Sequence, residues 1–266
     1  MFRSSIRALL YSLGLYRPAR WLYNRLRYSR ATRPAEVAGV RCIFRTPTGT
    51  IAEQIESLTG EEAVLRHFVL ELKAQDVVWD VGAGFGLYTV LAALKPHAET
   101  SIIAFEPEPA VRRLLEENLA LNGIQNAKLL SFALGDADTE TILYPSDTPN
   151  VGTSALLRRV DYRLKKRGIP VEMHRGDTLV TQGKVPAPTI LKIDVEGAEA
   201  RVLRGMQTLL TKPTLRALYC EVHPLLLANT GSSGAAMEHL ITDAGFTISE
   251  RYERGREYHL ICLKRP

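Results

Sequence analysis

Residues 77–94 read VVWDVGAGFGLYTVLAAL, and this stretch decides the fold class. Its first part, VVWDV, is a short apolar run of strand-forming residues and predicts a buried strand. Glycines 82, 84 and 86 follow at once and predict a tight turn that brings the backbone close to a ligand. The last part, LYTVLAAL, predicts a helix. Strand, glycine loop and helix in this order are typical of the nucleotide-binding α/β domains.

The same alternation of strand and helix continues along the chain. Further strands are predicted at SIIAFE (101–106), AKLLSFAL (127–134), TILKIDV (189–195) and RALYCEV (216–222), and helices at 111–122, AEARVLRGMQTLL (198–210) and AAMEHLITDAGF (235–246). This alternation predicts a doubly wound, mostly parallel sheet with helices on both faces. TISERYE (247–253) and YHLICLK (258–264) are joined by a tight Arg-Gly turn, which predicts a closing hairpin and hence one antiparallel strand.

Length and composition fit one large α/β domain, since the chain has 266 residues of which 45% are hydrophobic. We expect an N-terminal extension over 1–40 and a main domain over 41–266. Within the main domain, 137–188 reads as a variable insert on the substrate side, with short strands at ETILYP and VEMHR. The three cysteines are far apart and outside any CxxC pair, and no apolar run approaches the roughly 18 residues of a spanning helix. The expected location is therefore the cytoplasm.

The basic character of the chain lies at its N-terminus. Residues 1–35 hold eight arginines and no acid, with apolar residues at helical spacing from Phe2 to Leu13. Two interpretations carry equal weight. The segment is either an interfacial helix pair on anionic lipid over residues 1–33, or a helical cap packed on the domain.

The glycine loop and its flanking acids predict which nucleotide is bound. The spacing is G-x-G-x-G with Leu87 after it, so the dinucleotide fingerprint is missing. Asp80 precedes the glycines, where a carboxylate disfavours a diphosphate but suits a cationic amino-acid group. Glu106 ends the second predicted strand and can accept both hydroxyls of a ribose, or else cap the next helix. Adenosine carrying an amino acid and no phosphate is S-adenosylmethionine, with Ala133 and Leu134 of SFALGD lining its adenine.

On these motifs the chain resembles the FkbM family of S-adenosylmethionine-dependent methyltransferases. The resemblance rests on DVGAGFGLYT, AFEPEP with ENLALNG, FALGD, GTSALL, VEMHRGDTL and, most specifically, LKIDVEGAEARVLRG, between about residues 74 and 222. It implies the class I methyltransferase fold, with seven strands and a reversed last strand, and methylation of a hydroxyl on a sugar, glycan, glycolipid or other small molecule. The cofactor-binding residues that it implies are Asp80, Gly82, Ala83, Gly84, Gly86, Tyr88, Thr89, Glu106, Pro107, Ala133 and Leu134.

Asp194 is the candidate catalytic residue, because it ends the strand of LKIDVEG where ligands of open α/β sheets bind. Glu221 and His223 end the neighbouring strand and are predicted to share the site. Asp194 acts either as a base towards a hydroxyl or as a ligand of Mg²⁺ or Mn²⁺. The metal-free version is favoured, since the sequence shows no compact ligand cluster. Glu196 is interpreted as an acid near the start of a helix beginning around Gly197.

Two other functions stay open at this point. RRVDYRLKKR (158–167) holds six basic residues and one acid. This composition is most typical of a solvated helix face, but it also suits a surface that binds an acidic acceptor or RNA. An RNA ribose methyltransferase is therefore one alternative, although nucleic acid is disfavoured by the mildly acidic body of the chain. A binding protein on a degenerate methyltransferase fold is the other.

Overall fold

A computed structural model of the chain describes residues 12–16, 18–19, 31–96, 100–145 and 168–264. The predicted N-terminal amphipathic segment lies almost wholly outside these ranges. So do GTSALL (152–157) and the basic run 158–167, so neither receives a structural account. No helix of the described residues is long and apolar enough to cross a membrane.

A seven-stranded sheet forms the centre of the molecule. Its strands are β3 Val77–Val81, β4 Ser101–Phe105, β5 Ala127–Leu130, β9 Ile190–Ile193, β10 Ala217–Val222, β11 Thr247–Arg254 and β12 Glu257–Leu263. Their order in the sheet is β11-β12-β10-β9-β3-β4-β5. Neighbours from β5 to β10 pair in parallel, whereas β12 is antiparallel to both β10 and β11. The predicted parallel sheet with a reversed last strand is confirmed.

Helices cover both faces of this sheet, as the alternating pattern predicts. They are α1 Gly49–Glu56, α2 Glu62–Glu71, α3 Leu87–Leu94, α4 Pro109–Leu121, α5 Gly176–Thr181, α6 Glu199–Arg204, α7 Gln207–Thr211, α8 Pro224–Leu227 and α9 Gly234–Asp243. Successive side chains of a strand point to opposite faces, so Val78 joins the core under α1 to α4 and Trp79 joins the core under α6, α7 and α9. Burial on both faces explains why β3 is apolar almost throughout.

Two predicted elements are shorter in the structure. The strand expected over 127–134 ends at Leu130, and Ala133–Leu134 (β6) joins a separate three-stranded sheet with β7 Thr139–Leu143 and β8 Ile169–His174. The helix expected over 198–210 is two helices, α6 and α7, with Gly205 between them. A Cβ on Gly205 would lie 1.8 Å from the carbonyl oxygen of Gly135, so a backbone contact ties this break to the loop after β6.

A hairpin and two helices precede the first predicted strand. The hairpin consists of β1 Thr32–Val37 and β2 Val40–Arg45. The expected domain boundary, between residues 40 and 41, falls directly after the first residue of β2. The side-chain oxygen of Asn118 on α4 accepts a hydrogen bond from the backbone N–H of Arg45, and that of Asn122, which caps the end of α4, accepts one from the backbone N–H of Ile43. The hairpin is thus fixed to the domain, and α1 and α2 follow it to the edge of the candidate site.

Candidate active site

Two cavities lie side by side beyond the carboxyl ends of β3, β4, β9 and β10. The first, named here the apolar cavity, is lined mainly by Phe105, Val111, Phe132, Ala133, Leu134 and Leu143. The second, named here the acidic cavity, has a volume of about 360 Å³, within the range of roughly 300–1,000 Å³ typical of small-molecule pockets. Gly82, Asp194 and Glu196 line both cavities, so the two meet at the ends of β3 and β9.

Glu106 shares the lining of the apolar cavity with three other acids, Glu108, Asp194 and Glu196. Its two carboxylate oxygens accept hydrogen bonds from the backbone N–H groups of Gly84 and Glu108, both at 2.9 Å. Burial raises the pKa of Glu106 to about 7, although these two N–H groups favour the charged form. Each carboxylate oxygen has a second lone pair, so the group keeps the capacity to accept hydrogen bonds from a ligand.

Gly82 brings the glycine loop into contact with the turn after β9. Its φ is +74°, and a Cβ on it would lie 1.8 Å from the carbonyl oxygen of Asp194. Any side chain here would therefore push the two loops apart. Gly84 has φ +59° but open space where a Cβ would stand, so it contributes backbone freedom without a close approach.

Lys192, for which the sequence predicts no role, is the cation at the contact between the glycine loop and the turn after β9. Its Nζ donates to the carbonyl oxygen of Gly82 at 2.7 Å and lies 3.0 Å from Oδ1 of Asp80 and 3.8 Å from Oδ2 of Asp194. Burial opposes its charged form, but the charges of Asp80 and Asp194 outweigh burial and raise the pKa of Lys192. One buried ammonium thus holds the glycine loop and both strand-end carboxylates together.

Asp80 makes its contacts inside the protein. Its side chain is fully buried, and Oδ2 accepts hydrogen bonds from the backbone N–H and the hydroxyl of Thr89, at 3.1 and 2.6 Å. The carboxylate therefore stabilises the first turn of α3, where negative charge is favourable. Asp80 and Thr89, like Gly86, line neither of the two cavities described above.

His223 and Glu199 form a buried pair at the back of the acidic cavity. Nδ1 of His223 lies 2.6 Å from Oε1 of Glu199, and Nε2 lies 4.0 Å from both Asp194 Oδ1 and Glu196 Oε1. Burial favours the neutral ring, but the hydrogen bond to Glu199 and the charge of Asp194 outweigh it and raise the pKa of His223 to about 10. At neutral pH the ring is therefore an imidazolium that faces Asp194.

The guanidinium of Arg254 lines the acidic cavity on the side of the β11–β12 hairpin. Arg254 on β11 donates to Oε1 of Glu221 at 2.8 Å and lies 3.4 Å from Oε1 of Glu61. Glu221 is paired in register with His259 of β12, whose Nε2 lies 3.5 Å from the same carboxylate oxygen. Burial and then the charge of Asp194 raise the pKa of Glu221. Arg254 thus neutralises part of a site rich in carboxylates.

The structure brings the three candidate catalytic residues together, because potential ligand atoms of Asp194, Glu221 and His223 lie within 4.8 Å of one another. Of the predicted cofactor residues, Pro107, Glu106, Ala133 and Leu134 line the apolar cavity, Ala83, Gly84 and Tyr88 line the acidic one, and Gly82 lines both. The prediction for Glu196 needs correction. The helix begins at Glu199, and Glu196 lies in the preceding turn with φ +49° and its carboxylate towards His223.

Glu61, Glu199 and Arg254 are among the site residues that the sequence did not predict. Glu61 and Arg254 are remote from every recognised motif, so no spacing marks them. Glu199 does lie inside LKIDVEGAEARVLRG, and a signal for it existed. It follows Glu196 by three positions, at the start of a helix, where an acid is common and by itself indicates only a charge favourable to the helix N-terminus.

The sheet order, with β12 reversed, and the glycine loop after β3 define a class I methyltransferase. A model of the methyltransferase FkbM domain matches residues 80–248, which is more than half of the chain. The chain belongs to the FkbM family of methyltransferases, as the motifs indicated.

Characterised relatives of this chain are similar over most of their length. The hexuronic acid methyltransferase AglP of Haloferax volcanii is 28% identical over 204 residues, covering 76% of this chain and 79% of that protein. The 31-O-demethyl-FK506 methyltransferase FkbM of Streptomyces tacrolimicus is 28% identical over 234 residues, covering 77% and 86%. The 2-O-methyltransferase NoeI of Sinorhizobium fredii is 27% identical over 183 residues, covering 64% and 73%. With the fold, these matches make the chain an S-adenosylmethionine-dependent methyltransferase.

Proposed function

We propose that this protein transfers a methyl group from S-adenosylmethionine to a hydroxyl of a sugar, glycan, glycolipid or other small molecule. The observation that carries the proposal is the meeting of the apolar and acidic cavities at Gly82 and Asp194. A cofactor in the first cavity and an acceptor in the second would react at this junction. Two relatives support oxygen as the methylated atom, since their names specify 31-O-demethyl-FK506 and 2-O-methylation.

The residues that line the apolar cavity suit an adenosine in their chemistry, and because the cavity has a volume of only about 50 Å³ it must widen when the cofactor binds. Phe105, Phe132 and Leu134 offer apolar surface for a flat base, and Glu106 at the rim offers acceptors for the two ribose hydroxyls. Gly82 lets the glycine loop and the turn after β9 meet at the junction, where any side chain would push them apart. The amino-acid end of the cofactor is then directed towards Ala83 and Gly84. S-adenosylmethionine supplies the methyl group on a sulfonium, which is an electrophile that needs no further activation.

Asp194 is proposed as the base that takes the proton of the acceptor hydroxyl. As the hydroxyl oxygen bonds to the methyl carbon, the carbon–sulfur bond breaks with its electron pair on sulfur, and the proton moves to Asp194. His223 suits a supporting role, because an imidazolium held by Glu199 has no lone pair with which to accept that proton. We assign His223 the stabilisation of the Asp194 carboxylate, and Glu221 a hydrogen bond to the acceptor.

The second version of the mechanism places Mg²⁺ or Mn²⁺ on Asp194, Glu221 and His223. The three groups are close enough to share an ion, and Glu199 behind His223 is the arrangement that orients many histidine ligands. A chelator separates the versions. Activity that is lost with chelator and restored by either ion supports the metal; activity indifferent to chelator supports Asp194 as a direct base.

The proposed function is tested by methyl transfer from radiolabelled S-adenosylmethionine into a fractionated cell extract. We expect label in glycan, glycolipid or small-molecule fractions. Label confined to RNA would favour the ribose methyltransferase instead. Cofactor binding with no transfer into any fraction would favour the non-catalytic binding protein.

A cytoplasmic location and contact with anionic membrane through residues 1–33 form a separate part of the proposal. Eight arginines without an acid in residues 1–35 support it, because anionic lipid attracts such segments. Flotation with anionic liposomes that weakens in high salt, and that fails with neutral liposomes, is the expected result. Flotation that survives deletion of residues 1–33 would refute it.

A further inference from the structure

Acidic side chains dominate the cavity proposed to hold the acceptor. Five of the residues that line it are acids: Glu61, Asp194, Glu196, Glu221 and Glu257. Two further buried carboxylates, Asp80 and Glu199, lie directly behind it, against Lys192 and His223. The cationic residues that line the cavity are Lys192, His223 and Arg254. Carboxylates therefore outnumber cations among the described residues of this site.

Each of these cations is already held by a carboxylate of the protein. Lys192 is 3.0 Å from Asp80, and His223 is 2.6 Å from Glu199. Arg254 is 2.8 Å from Glu221 and 3.4 Å from Glu61, so its guanidinium bridges two acids. Among the lining residues that the structure describes, none of the three positive groups is left to pair with a charge on the acceptor.

Resting on the proposed function, we infer that the acidic cavity binds an uncharged, hydroxyl-rich acceptor of the neutral pyranoside class. It excludes sugars whose methylated ring itself carries a carboxylate. Carboxylate oxygens accept hydrogen bonds from hydroxyls, so a polyol suits the lining. An anion would enter a partly buried site of its own sign, where repulsion is weakly screened. The protein would thus differ from the relative AglP, whose name specifies a hexuronic acid.

Two matched panels of probes test this inference. One contains the methyl glycosides of glucose, galactose and mannose, and the other contains the corresponding methyl glycosiduronates, which differ in having a carboxylate at carbon 6. Binding to the full-length protein with S-adenosylhomocysteine is measured by saturation-transfer NMR, and methyl transfer is measured from labelled S-adenosylmethionine. We expect at least one neutral glycoside to bind about ten-fold or more tightly than its uronate, since repulsion by buried charge is of this order.

Charge variants test whether the acidic cavity causes the preference for neutral glycosides over uronates. Glu257→Gln removes one lining charge and should raise the relative affinity for the uronate by about 3- to 10-fold. Glu116→Gln removes the same charge from an exposed position on α4 and should change nothing. Equal responses of the two variants would overturn the inference.

The other outcomes also overturn it. A uronate preferred over its neutral partner would do so, and loss of that preference in Arg254→Met would identify Arg254 as the group that binds the carboxylate. If neither panel binds, the acceptor is not a pyranoside. The proposed function is tested independently, because transfer of label to another hydroxyl compound would still support it.

Discussion

The apolar and acidic cavities are built in opposite ways, although they share a wall. The apolar cavity is formed largely by the part of the chain from β3 to β6, and Glu106 in it accepts hydrogen bonds from backbone groups. The acidic cavity collects Glu61, Lys192, Glu221 and Arg254 from distant parts of the chain and holds them by ion pairs. A cofactor common to a family suits a fixed backbone site, whereas an acceptor that varies suits exchangeable side chains.

The largest expected effect is that of Gly82→Ala, because Gly82 lies in the wall that the two cavities share. The new Cβ would meet the Asp194 carbonyl at 1.8 Å on a backbone with positive φ, so the loops must separate. We expect destabilisation of about 3 kcal/mol or more and loss of cofactor binding. Gly84→Ala is the matched control, because its Cβ has open space and it should cost only about 1 kcal/mol. Denaturant unfolding and calorimetric titration measure both; equal losses would contradict this account of the wall.

On the acidic side, Asp194→Asn should reduce turnover by about 10²- to 10⁴-fold, because an amide cannot take the hydroxyl proton. Affinity for S-adenosylmethionine should change only a few-fold, as the change leaves the apolar cavity intact. Asp243→Asn, at an exposed position near the end of α9, removes the same charge and should leave turnover unaltered. Near-normal turnover of Asp194→Asn on a true acceptor would show that the residue is structural.

On the apolar side, Glu106→Ala should weaken cofactor binding by about 1–3 kcal/mol, since it leaves buried ribose hydroxyls without acceptors. The pKa of about 7 adds a pH dependence. The charged carboxylate is the better acceptor, so affinity should fall as pH is lowered from 8 to 6. Calorimetric titration across this range checks both effects. Glu116→Ala, on the exposed face of α4, should bind as the wild type does; unchanged binding by Glu106→Ala would remove Glu106 from the cofactor site.

Taken per pH unit, the smallest expected effect is that of pH on the free energy of unfolding. His223 has a folded pKa of about 10 against an ordinary value of 6.5, so its stabilising contribution is complete below pH 6.5 and is lost as pH rises towards 10. The slope from one such group is at most about 1.4 kcal/mol per pH unit. The raised pKa of Glu221 acts in the same direction, since its ionisation in the folded state is unfavourable.

Urea unfolding between pH 6.5 and 9 measures this slope. His223→Gln should flatten the curve by removing the contribution of the ring, whereas His239→Gln, exposed on α9, should not. A slope that His223→Gln leaves unchanged would show that the buried ring does not carry the proton.

The fold and the glycine loop were predictable because their signals are local. VVWDVGAGFG specifies a strand and a turn within ten residues, and the alternation of elements then restricts the topology. Among the charged residues that line the acidic cavity, only Asp194, Glu221 and His223 were predicted to share a site, because they end neighbouring strands. Glu61 reaches the site from a turn between helices, and Arg254 reaches it because β12 lies between β10 and β11. Such proximity is a property of tertiary pairing, which no short window of sequence contains.

The position of β12 also has a consequence for the order of assembly during synthesis. β12 follows β11 in the chain, yet it lies between β11 and β10. The sheet can therefore be completed only after residue 263 has left the ribosome, while the strands from β3 to β10 are free to pair earlier. A nascent chain would hold the floor of the apolar cavity before Arg254 and His259 reach their places. On the proposed function, the cofactor side of the site would therefore form before the acceptor side.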